Sequence, residues 1–323
     1  MNNVIFISWQ KHQRTQSFCT KLLIPLYEIV TEKSGVSRYI ECFFATRKIL
    51  KATKTKILIV QNPSIVLALT AIFLRPFYSY KLFVDAHNEA IHPFILNNWL
   101  IKYIARIIIR KTDLTIVTNS ELAQTVNKYG GNAFILPDLL PSVEPRAILT
   151  RTHYEPTVIT LISTYALDEP YQEVFMAMKS LGSEYQLYVT GKVPHNLKQN
   201  GLPENIKLLG YLSHDDYWDQ LYKSHIIIDL STMENCLVCG AYEAIAIEKP
   251  LILSLNPASI ELFGDFAIHT TNDAKGIASA LMKISKDYSV LTKNLRLCKI
   301  NFLKQEKQRL EVFKYKLDER VIN

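Results

Sequence analysis

The sequence predicts an α/β protein made of two Rossmann-like, doubly wound domains. Short apolar runs alternate with helical patterns throughout the 323 residues, a length that accommodates two domains of ordinary size. Runs such as Ile57-Leu58-Ile59-Val60 are apolar on both faces, as parallel strands must be when helices cover both sides of a sheet. A hydrophobic content of 48% with 21% charged residues fits a folded protein and excludes a disordered one.

The first half contains six runs that are typical of strands, with helical patterns between them. They are residues 4–7, 38–44, 56–60, 81–85, 114–117 and 133–136. Asn119 stands just ahead of a helical pattern that starts with Glu121, and we expect its side chain to cap that helix.

The alternation of strands and helices stops at a segment punctuated by Pro137, Pro141, Pro145 and Pro156, and then resumes. Further strands are predicted at residues 158–163, 186–190, 206–209, 226–230, 251–254 and 266–269, followed by a long charged helix from residue 288 to about 320.

We therefore expect an N-terminal domain of residues 1–150 and a C-terminal domain of residues 151–323, whose last helix can pack back on the first domain. A Pro-rich hinge between two such domains predicts a central cleft that faces the carboxyl ends of both sheets. Open α/β sheets bind their ligands at those ends.

The net charge of +7 is distributed unevenly. Residues 1–151 carry 19 Lys and Arg against 9 Asp and Glu, a net of +10, whereas residues 152–323 carry a net of −3. A basic first half indicates an anionic partner such as phospholipid, a lipid-linked diphosphate or nucleic acid, with an ordinary Lys-rich surface as the alternative. Because no nucleic-acid recognition element accompanies the charge, we expect no nucleic-acid partner.

The segment Trp99–Lys111 interleaves apolar residues with Lys102, Arg106, Arg110 and Lys111. A helix that lies in a membrane interface needs this composition, because its apolar side chains insert and its cations meet lipid headgroups. A core helix with a basic outer face is the alternative. No apolar run reaches the roughly 18 residues of a membrane span, and Met1 leads into a strand pattern without a secretory leader. We expect a cytoplasmic protein that attaches peripherally to the inner face of the membrane.

Metal and cofactor chemistry are not indicated. The Cys236-Leu237-Val238-Cys239 spacing suits zinc, but no second pair or nearby His supplies the remaining ligands. The sequence also lacks the glycine-rich loops of dinucleotide enzymes and P-loop NTPases, and the nucleophile motif of serine-type α/β-hydrolases. We expect neither a metal nor a cofactor.

Residues 226–252 are the segment richest in candidate functional residues. A strand ends in a polar loop, and a helix then begins near Gly240. The glycine permits close backbone approach, and the helix N-terminus offers amides and a positive dipole to a phosphate. Glu243, one turn inside the helix, can accept hydrogen bonds from ribose hydroxyls, and Glu234 in the loop can reach a sugar. An ordinary βαβ unit with surface carboxylates is the alternative.

This segment resembles the donor-site signature of the family 4 (group 1) retaining glycosyltransferases, which have the GT-B fold. Glu243-Ala244-Ile245-Ala246 and Lys249-Pro250-Leu251-Ile252 match the family pattern. The family separates its two glutamates by seven residues, whereas eight lie between Glu234 and Glu243, so strict spacing would select Asn235. The resemblance implies donor binding by Glu243, Gly240 and Asn235 and a catalytic role for Glu234.

The first half is similar to the same family, and the resemblance covers roughly residues 55–285. Residues 81–88 place His87 directly after a buried strand. The resemblance implies that His87 contacts the transferred sugar, although a lone His is more often structural.

Two loops depart from the family pattern. The first loop lacks the usual glycines, and Lys11 and Arg14 can bind phosphate or a lipid-linked acceptor by charge. A solvated basic loop is the alternative. The second domain lacks the Arg and Lys that grip the donor diphosphate. Ser163 and Thr164 can donate hydroxyls there, and Lys192 is a candidate substitute for the missing cations.

The resemblance implies metal-independent sugar transfer from a nucleotide-sugar to an acceptor in polysaccharide or lipid-linked glycan synthesis, with retention at the anomeric carbon. A sugar-nucleotide epimerase of the same fold is one alternative. A non-catalytic homologue that acts as a binding partner is the other, because the usual cations are missing.

Overall fold

The computed structural model describes residues 3–62, 64–92, 98–146 and 156–322. Two compact units account for them, one of Met1–Leu139 with Gln305–Asn323 and the other of Leu140–Lys304. The division falls inside the Pro-rich segment, eleven residues before the predicted boundary at 150. Residues 147–155 of that segment lie outside the described residues.

The first unit is built on a six-stranded parallel sheet with the strand order β2-β1-β3-β4-β5-β6. The strands are β1 (Val4–Ser8), β2 (Leu26–Glu28), β3 (Ile57–Asn62), β4 (Lys81–Ala86), β5 (Leu114–Val117) and β6 (Ala133–Ile135). The helices between them are α1 (Gln13–Leu22), α2 (Gly35–Thr53), α3 (Ile65–Tyr78), α4 (Asn88–Ile91), α5 (Trp99–Lys111) and α6 (Ser120–Lys128). The side chain of Asn119 accepts a hydrogen bond from the amide of Leu122, which confirms the predicted cap of α6.

Alternate residues of the central strands face opposite sides of this sheet. Leu58 and Val60 of β3 pack with α2, α3, α5 and α6, whereas Ile57 and Ile59 pack with α1 and with residues 310–317 near the end of the chain. Both faces are therefore buried, as the doubly apolar strands predict.

The predicted strand at residues 38–44 is wrong, because these residues lie in α2. The helix buries Cys42, Thr46 and Leu50, which recur every four residues as one face of a helix does. The run resembled a strand because residues of its outer face, including Ile40 and Phe44, are also apolar. Strand β2, which takes the edge position instead, is three half-buried residues and left no pattern to recognise.

The second unit repeats the architecture with the strand order β12-β11-β10-β7-β8-β9, again all parallel. Its strands are β7 (Thr157–Leu161), β8 (Tyr185–Thr190), β9 (Ile206–Gly210), β10 (Ile226–Asp229), β11 (Leu251–Ser254) and β12 (Ala267–Thr270). Its helices are α7 (Tyr171–Leu181), α8 (His214–Lys223), α9 (Cys239–Ala246) and α10 (Pro257–Phe263), and α11 (Ala274–Ile322) begins in this unit. All six strands predicted for this half are present, with ends that differ by one or two residues.

The last helix begins fourteen residues earlier than predicted and is 49 residues long. Its first turns bury Ile277, Leu281 and Ile284 in the core of the second unit. Its later residues Phe313 and Leu317 are buried in the core of the first unit. No helix of the described chain is long and apolar enough to cross a membrane.

Phe313 provides a test of how the last helix stabilises the first unit. Its fully buried ring contacts Phe18, Phe83 and Phe134, with ring centroids 5.2 to 6.5 Å apart. We expect Phe313→Ala to lower the free energy of unfolding of the first unit by about 3–5 kcal/mol, because removal of the ring leaves a cavity in the core. Denaturant titration followed by circular dichroism measures the loss.

Val312→Ala is the matched control, because Val312 is the exposed neighbour of Phe313 on the same helix. It should shift the midpoint very little. Equal shifts for the two variants would contradict the packing described for this helix.

Candidate functional site

The loop between β10 and α9 is held in place by a contact between Asp229 and Gly240. The amide of Gly240 donates a hydrogen bond of 2.8 Å to Oδ2 of Asp229, the last residue of β10. A Cβ atom at position 240 would lie 2.5 Å from that oxygen and 2.5 Å from Cδ1 of Ile162. Position 240 therefore requires a glycine, because the helix start packs closely against β10 and Ile162. Its amide serves Asp229, so the predicted donation to a phosphate is not available in this arrangement.

Asp229 is buried. Burial raises its pKa well above the ordinary value, and the hydrogen bond from Gly240 offsets the rise only in part. The nearby Glu243 carboxylate raises the pKa of Asp229 further. The contact therefore fixes the start of α9 without adding a full negative charge to the loop.

Glu243 lies one turn inside α9 and is held by Tyr217 of α8. The phenol of Tyr217 donates a hydrogen bond of 2.5 Å to Oε2 of Glu243. Burial raises the pKa of Glu243, and the bond from Tyr217 opposes that rise. Burial and the Glu243 carboxylate also raise the pKa of Tyr217, so the phenol keeps its proton and stays a donor. Within the described residues Oε1 of Glu243 accepts no hydrogen bond, which leaves it available to a ligand hydroxyl.

The loop after β7 surrounds a carboxylate of its own chain. Glu169 accepts hydrogen bonds from Oγ of Ser163 at 2.6 Å, from Oγ1 and the amide of Thr164 at 2.7 and 2.8 Å, and from the amide of Ala166 at 3.3 Å. Such convergence of amides and hydroxyls is an anion-binding arrangement. The hydroxyls of Ser163 and Thr164 are those predicted to meet the donor, and here Glu169 uses them.

A second glycine fixes the neighbouring loop. Gly191 has a φ of +101°, and a Cβ atom there would lie 1.9 Å from the carbonyl oxygen of Ser163. Only glycine permits this conformation and this approach. Lys192, which follows Gly191, is exposed to solvent.

Asp168 joins the loops that follow β7 and β10. Oγ of Ser231 donates to its carboxylate at 2.6 Å, and the amide of Thr232 donates to its carbonyl oxygen at 2.7 Å. Within the loop after β10, Glu234 is exposed and Asn235 has a φ of 55°, a left-handed conformation that Asn tolerates. The site of the second unit therefore combines Glu243, Tyr217 and Glu169 with the loops that carry Glu234 and Lys192.

In the first unit, Arg14 belongs to a buried ion-pair network. Its Nη2 lies 2.9 Å from Oδ1 of Asp85 and 3.0 Å from the carbonyl oxygen of Leu136, and its Nη1 bonds Asp138. Burial acts to raise the pKa of Asp85, but the Arg14 charge outweighs it and the pKa is lowered. Arg14 is thus an internal counter-ion and not an exposed phosphate ligand, which corrects that prediction. Lys11 of the same loop is exposed.

His87 follows β4, as predicted, and contacts a second imidazole. Its ring centroid lies 4.9 Å from that of His12, edge to face. Burial lowers the pKa of His87, and the Asp85 charge opposes this only in part, so the ring is neutral at neutral pH. Nε2 of His87 and Nδ1 of His12 are buried, and no described residue forms a hydrogen bond with either nitrogen.

The ends of β1 and β3 bring further polar groups to this edge of the sheet. The hydroxyl of Ser8 donates a hydrogen bond of 2.6 Å to Oε1 of Gln61. Among the described residues, neither Nε2 of Gln61 nor Oδ1 of the buried Asn62 has a hydrogen-bond partner. Unpaired donors and acceptors at the carboxyl ends of neighbouring strands suit a hydroxylated ligand.

Several of these groups were not identified from the sequence. Tyr217, His12, Glu169 and Asp168 gave no motif of their own, although Glu169 stands in the segment where cations were missing. Within the ranges described, no group of three or more His, Cys, Asp or Glu could hold a metal ion. Neither Cys236 nor Cys239 forms a disulfide bond with a described residue.

The fold is shared with proteins of known structure. No known family profile matches the sequence, and no curated protein matches it. Sucrose-phosphate synthase from Thermosynechococcus elongatus is similar over 99% of this chain and 89% of its own, with 12% identity and a TM-score of 0.71. Anabaena HepE in complex with UDP and glucose is similar over 96% and 99%, with 11% identity and a TM-score of 0.69.

A putative UDP-N-acetylglucosamine 2-epimerase from Listeria monocytogenes is similar over 90% of each chain, with 11% identity and a TM-score of 0.57. At these identities the similarity shows the fold alone. It confirms the predicted fold class, two Rossmann-like units of the GT-B type.

The contacts of Glu169 generate a prediction about anions. We expect Glu169→Gln to bind inorganic pyrophosphate about tenfold more tightly than the unchanged protein, because a charged competitor for the loop donors is removed. Isothermal calorimetry measures both affinities.

Glu173→Gln is the control, because Glu173 lies in the same unit and accepts a hydrogen bond from the amide of Ala274 instead. It should leave the pyrophosphate affinity unchanged. Equal pyrophosphate affinities for the Glu169 variant and the unchanged protein would mean that the loop binds no anion other than the carboxylate of Glu169.

Proposed function

We propose that this protein is a glycosyltransferase. It transfers a sugar from a nucleoside diphosphate sugar to an acceptor in polysaccharide or lipid-linked glycan synthesis, with retention at the anomeric carbon. The second unit binds the donor, and the first unit contributes His87 and the acceptor side. The GT-B fold shared with sucrose-phosphate synthase and with HepE, solved with UDP and glucose, supports this assignment.

The observation that carries the proposal is the half-buried Glu243 at the carboxyl edge of the second sheet. Tyr217 holds one carboxylate oxygen, and the other is available. A fixed carboxylate oxygen suits the paired hydroxyls of a ribose, because each hydroxyl donates a charge-assisted hydrogen bond. Glu243 is also the residue on which the donor-site resemblance depends most.

In the proposed reaction the bond between the anomeric carbon and the diphosphate oxygen breaks. The acceptor oxygen bonds the same carbon on the same face, and its proton passes to the departing phosphate oxygen. The loop after β8 supplies Lys192 to the diphosphate, and the loop after β7 supplies its amides and hydroxyls once Glu169 has moved away from them. Glu234 and Asn235 of the loop after β10 meet the sugar. No enzyme nucleophile or metal is required, so catalysis rests on positioning and on stabilisation of the leaving group.

His87 supports the role of the first unit. A neutral imidazole with an unpartnered buried nitrogen can bind a sugar hydroxyl without competition from a protein group. Exposed Lys11 is the remaining candidate for an anionic acceptor in the first loop, since Arg14 is committed to Asp85 and Asp138.

A non-catalytic homologue is the second candidate, and Glu169 is the observation that favours it. A carboxylate in place of bound phosphate oxygens reduces affinity for a diphosphate unless it moves away. An epimerase of sugar nucleotides is supported by the fold shared with the Listeria protein. Turnover of a nucleotide-sugar without an added acceptor, and identification of the product, would distinguish these candidates from transfer.

The proposed location is the cytoplasmic face of a membrane. Helix α5 exposes Trp99, Leu100 and Tyr103 in its first turns and four cations along its length. Its apolar residues Ala105, Ile108 and Ile109 are buried in the first unit. One side of α5 is therefore core and the other is a basic surface, and the proposal is that this basic surface meets the membrane.

Glu243 gives the first test of the donor site. We expect Glu243→Ala to reduce the affinity for UDP, the first donor nucleotide to try, by at least about tenfold, because a charge-assisted hydrogen bond is lost. The fold should remain intact, since the side chain is only half-buried. Calorimetry measures the affinity, and circular dichroism checks the fold.

Glu248→Gln serves as the control, because Glu248 follows the same helix but pairs with Lys299 at 3.0 Å. It should bind UDP as the unchanged protein does. If Glu243→Ala also binds UDP normally, Glu243 is not the ribose ligand.

His87 gives a test of the catalytic step. We expect His87→Ala to lower kcat by about 10²-fold or more with little change in nucleotide affinity, the sign of an interaction made mainly in the transition state. Because burial lowers the pKa of His87 below its ordinary value of 6.5, kcat of the unchanged protein should stay level as the pH falls through 6.5. Steady-state rates over a pH series measure both effects, and near-normal turnover by the variant would make His87 structural.

A further inference from the structure

Helices α2 and α3 of the first unit expose a row of aromatic rings. Phe44 of α2 is 57% exposed, and Phe73 and Phe77 of α3 are 61% and 70% exposed. The inner sides of both helices pack on the same face of the first sheet. The exposed rings therefore lie on the outer side of this helical layer.

The rings form one continuous surface. The centroid of Phe43 lies 5.6 Å from that of Phe44 and 6.3 Å from that of Phe73, and Phe73 lies 5.8 Å from Phe77. Ile40 lines the same groove as Phe44, one helical turn away. We call Ile40, Phe44, Phe73 and Phe77 the aromatic ridge. Contiguous exposed apolar surface of this kind marks an interaction site.

The charge around the ridge is almost entirely positive. Helices α2, α3 and α5 together contain nine Lys and Arg and a single carboxylate, Glu41. Glu41 pairs with Lys33 at 2.9 Å. Arg47, Lys48 and Lys51, which follow the ridge along α2, are exposed and form no ion pair with any described side chain. These cations are available to an anionic partner.

We propose that the aromatic ridge inserts into an anionic lipid surface, with the flanking cations on the headgroups. The rings add to the apolar area of α5, which exposes Trp99 in its first turn but buries Ile108 and Ile109 in the core. Phenylalanine has no polar group to satisfy, so hydrocarbon suits it better than a wet protein interface does.

The charge distribution selects lipid over other occupants. Arg75 pairs with Asp113 at 2.8 Å, but the other Lys and Arg of the three helices leave a positive surplus. A second copy of this chain would bring the same surplus against the first and repel it. A soluble polyanion would use the cations but leave the rings in water. Only a surface that is both anionic and apolar matches both features. This inference is independent of sugar transfer, because it uses no residue of the proposed donor site.

The experiment is sedimentation of the full-length protein with vesicles. Vesicles of phosphatidylcholine alone are compared with vesicles that also contain phosphatidylglycerol, at low and physiological salt. The unchanged protein should bind the anionic vesicles only. The Phe73→Ser/Phe77→Ser double variant should partition at least about tenfold more weakly, and both substitutions are at exposed positions, so the fold should persist. Circular dichroism and the thermal midpoint verify this.

Val312→Ser/Tyr315→Ser is the matched control, since these side chains are 51% and 68% exposed on α11 and lie outside the ridge. It should bind vesicles as the unchanged protein does. An Arg47→Gln/Lys48→Gln/Lys51→Gln variant should also bind more weakly, and its remaining binding should depend less on salt.

Three outcomes would overturn the proposal. The first is a lack of binding by the unchanged protein to anionic vesicles. The second is binding by the ridge variant that equals that of the control, which would leave a purely electrostatic surface. The third is a dimer in analytical ultracentrifugation that the ridge variant abolishes while vesicle binding persists, which would make a second copy the occupant.

Discussion

The hydrogen bond from the amide of Gly240 to the buried carboxylate of Asp229 is the contact on which the second unit's site depends. It joins the end of β10 to the start of α9 at a distance that no Cβ atom would permit. Because α9 is fixed there, Glu243 comes within reach of Tyr217 and keeps one oxygen available. The same closeness uses the helix amide that would otherwise meet an anion. The geometry therefore favours recognition of hydroxyls at this point, and the proposed function assigns phosphate recognition to the neighbouring loops.

Much of the fold was predictable from the sequence, because strands buried on both faces carry uninterrupted apolar runs. The runs at residues 57–60, 226–228 and 251–253 are of this kind. The prediction failed at residues 38–44, where the outer face of α2 carries exposed apolar residues such as Ile40 and Phe44. A segment that is apolar on two sides is predicted to be a buried strand. The sequence pattern does not show whether the second apolar side faces a core or the exterior. The misassigned segment contains Ile40 and Phe44 of the aromatic ridge.

The candidate site was predictable where position along the chain determines the role, and not where a partner determines it. His87 directly follows a buried strand, and Glu243 lies one turn into a helix, so both could be identified from local sequence. The commitment of Arg14 to Asp85 joins residues 71 positions apart, and no local pattern records it. Glu169 was not recognised because an anion in an anion-binding loop reverses the expected charge. No sequence pattern identifies Tyr217, because its hydrogen bond to Glu243 joins two different helices, α8 and α9.

The long helix α11 has a consequence for the order in which the protein is made. The first unit draws Leu310, Phe313 and Leu317 into a core whose other members come from residues 4–139. During translation, this core cannot be completed until residues 310–317 have left the ribosome, which requires synthesis of nearly the whole chain. Until then Phe18 and Phe83 lack the ring that packs on them. The part of the protein that is synthesised first is therefore among the last to be completed, and a chaperone that shields apolar surface would meet it in that interval.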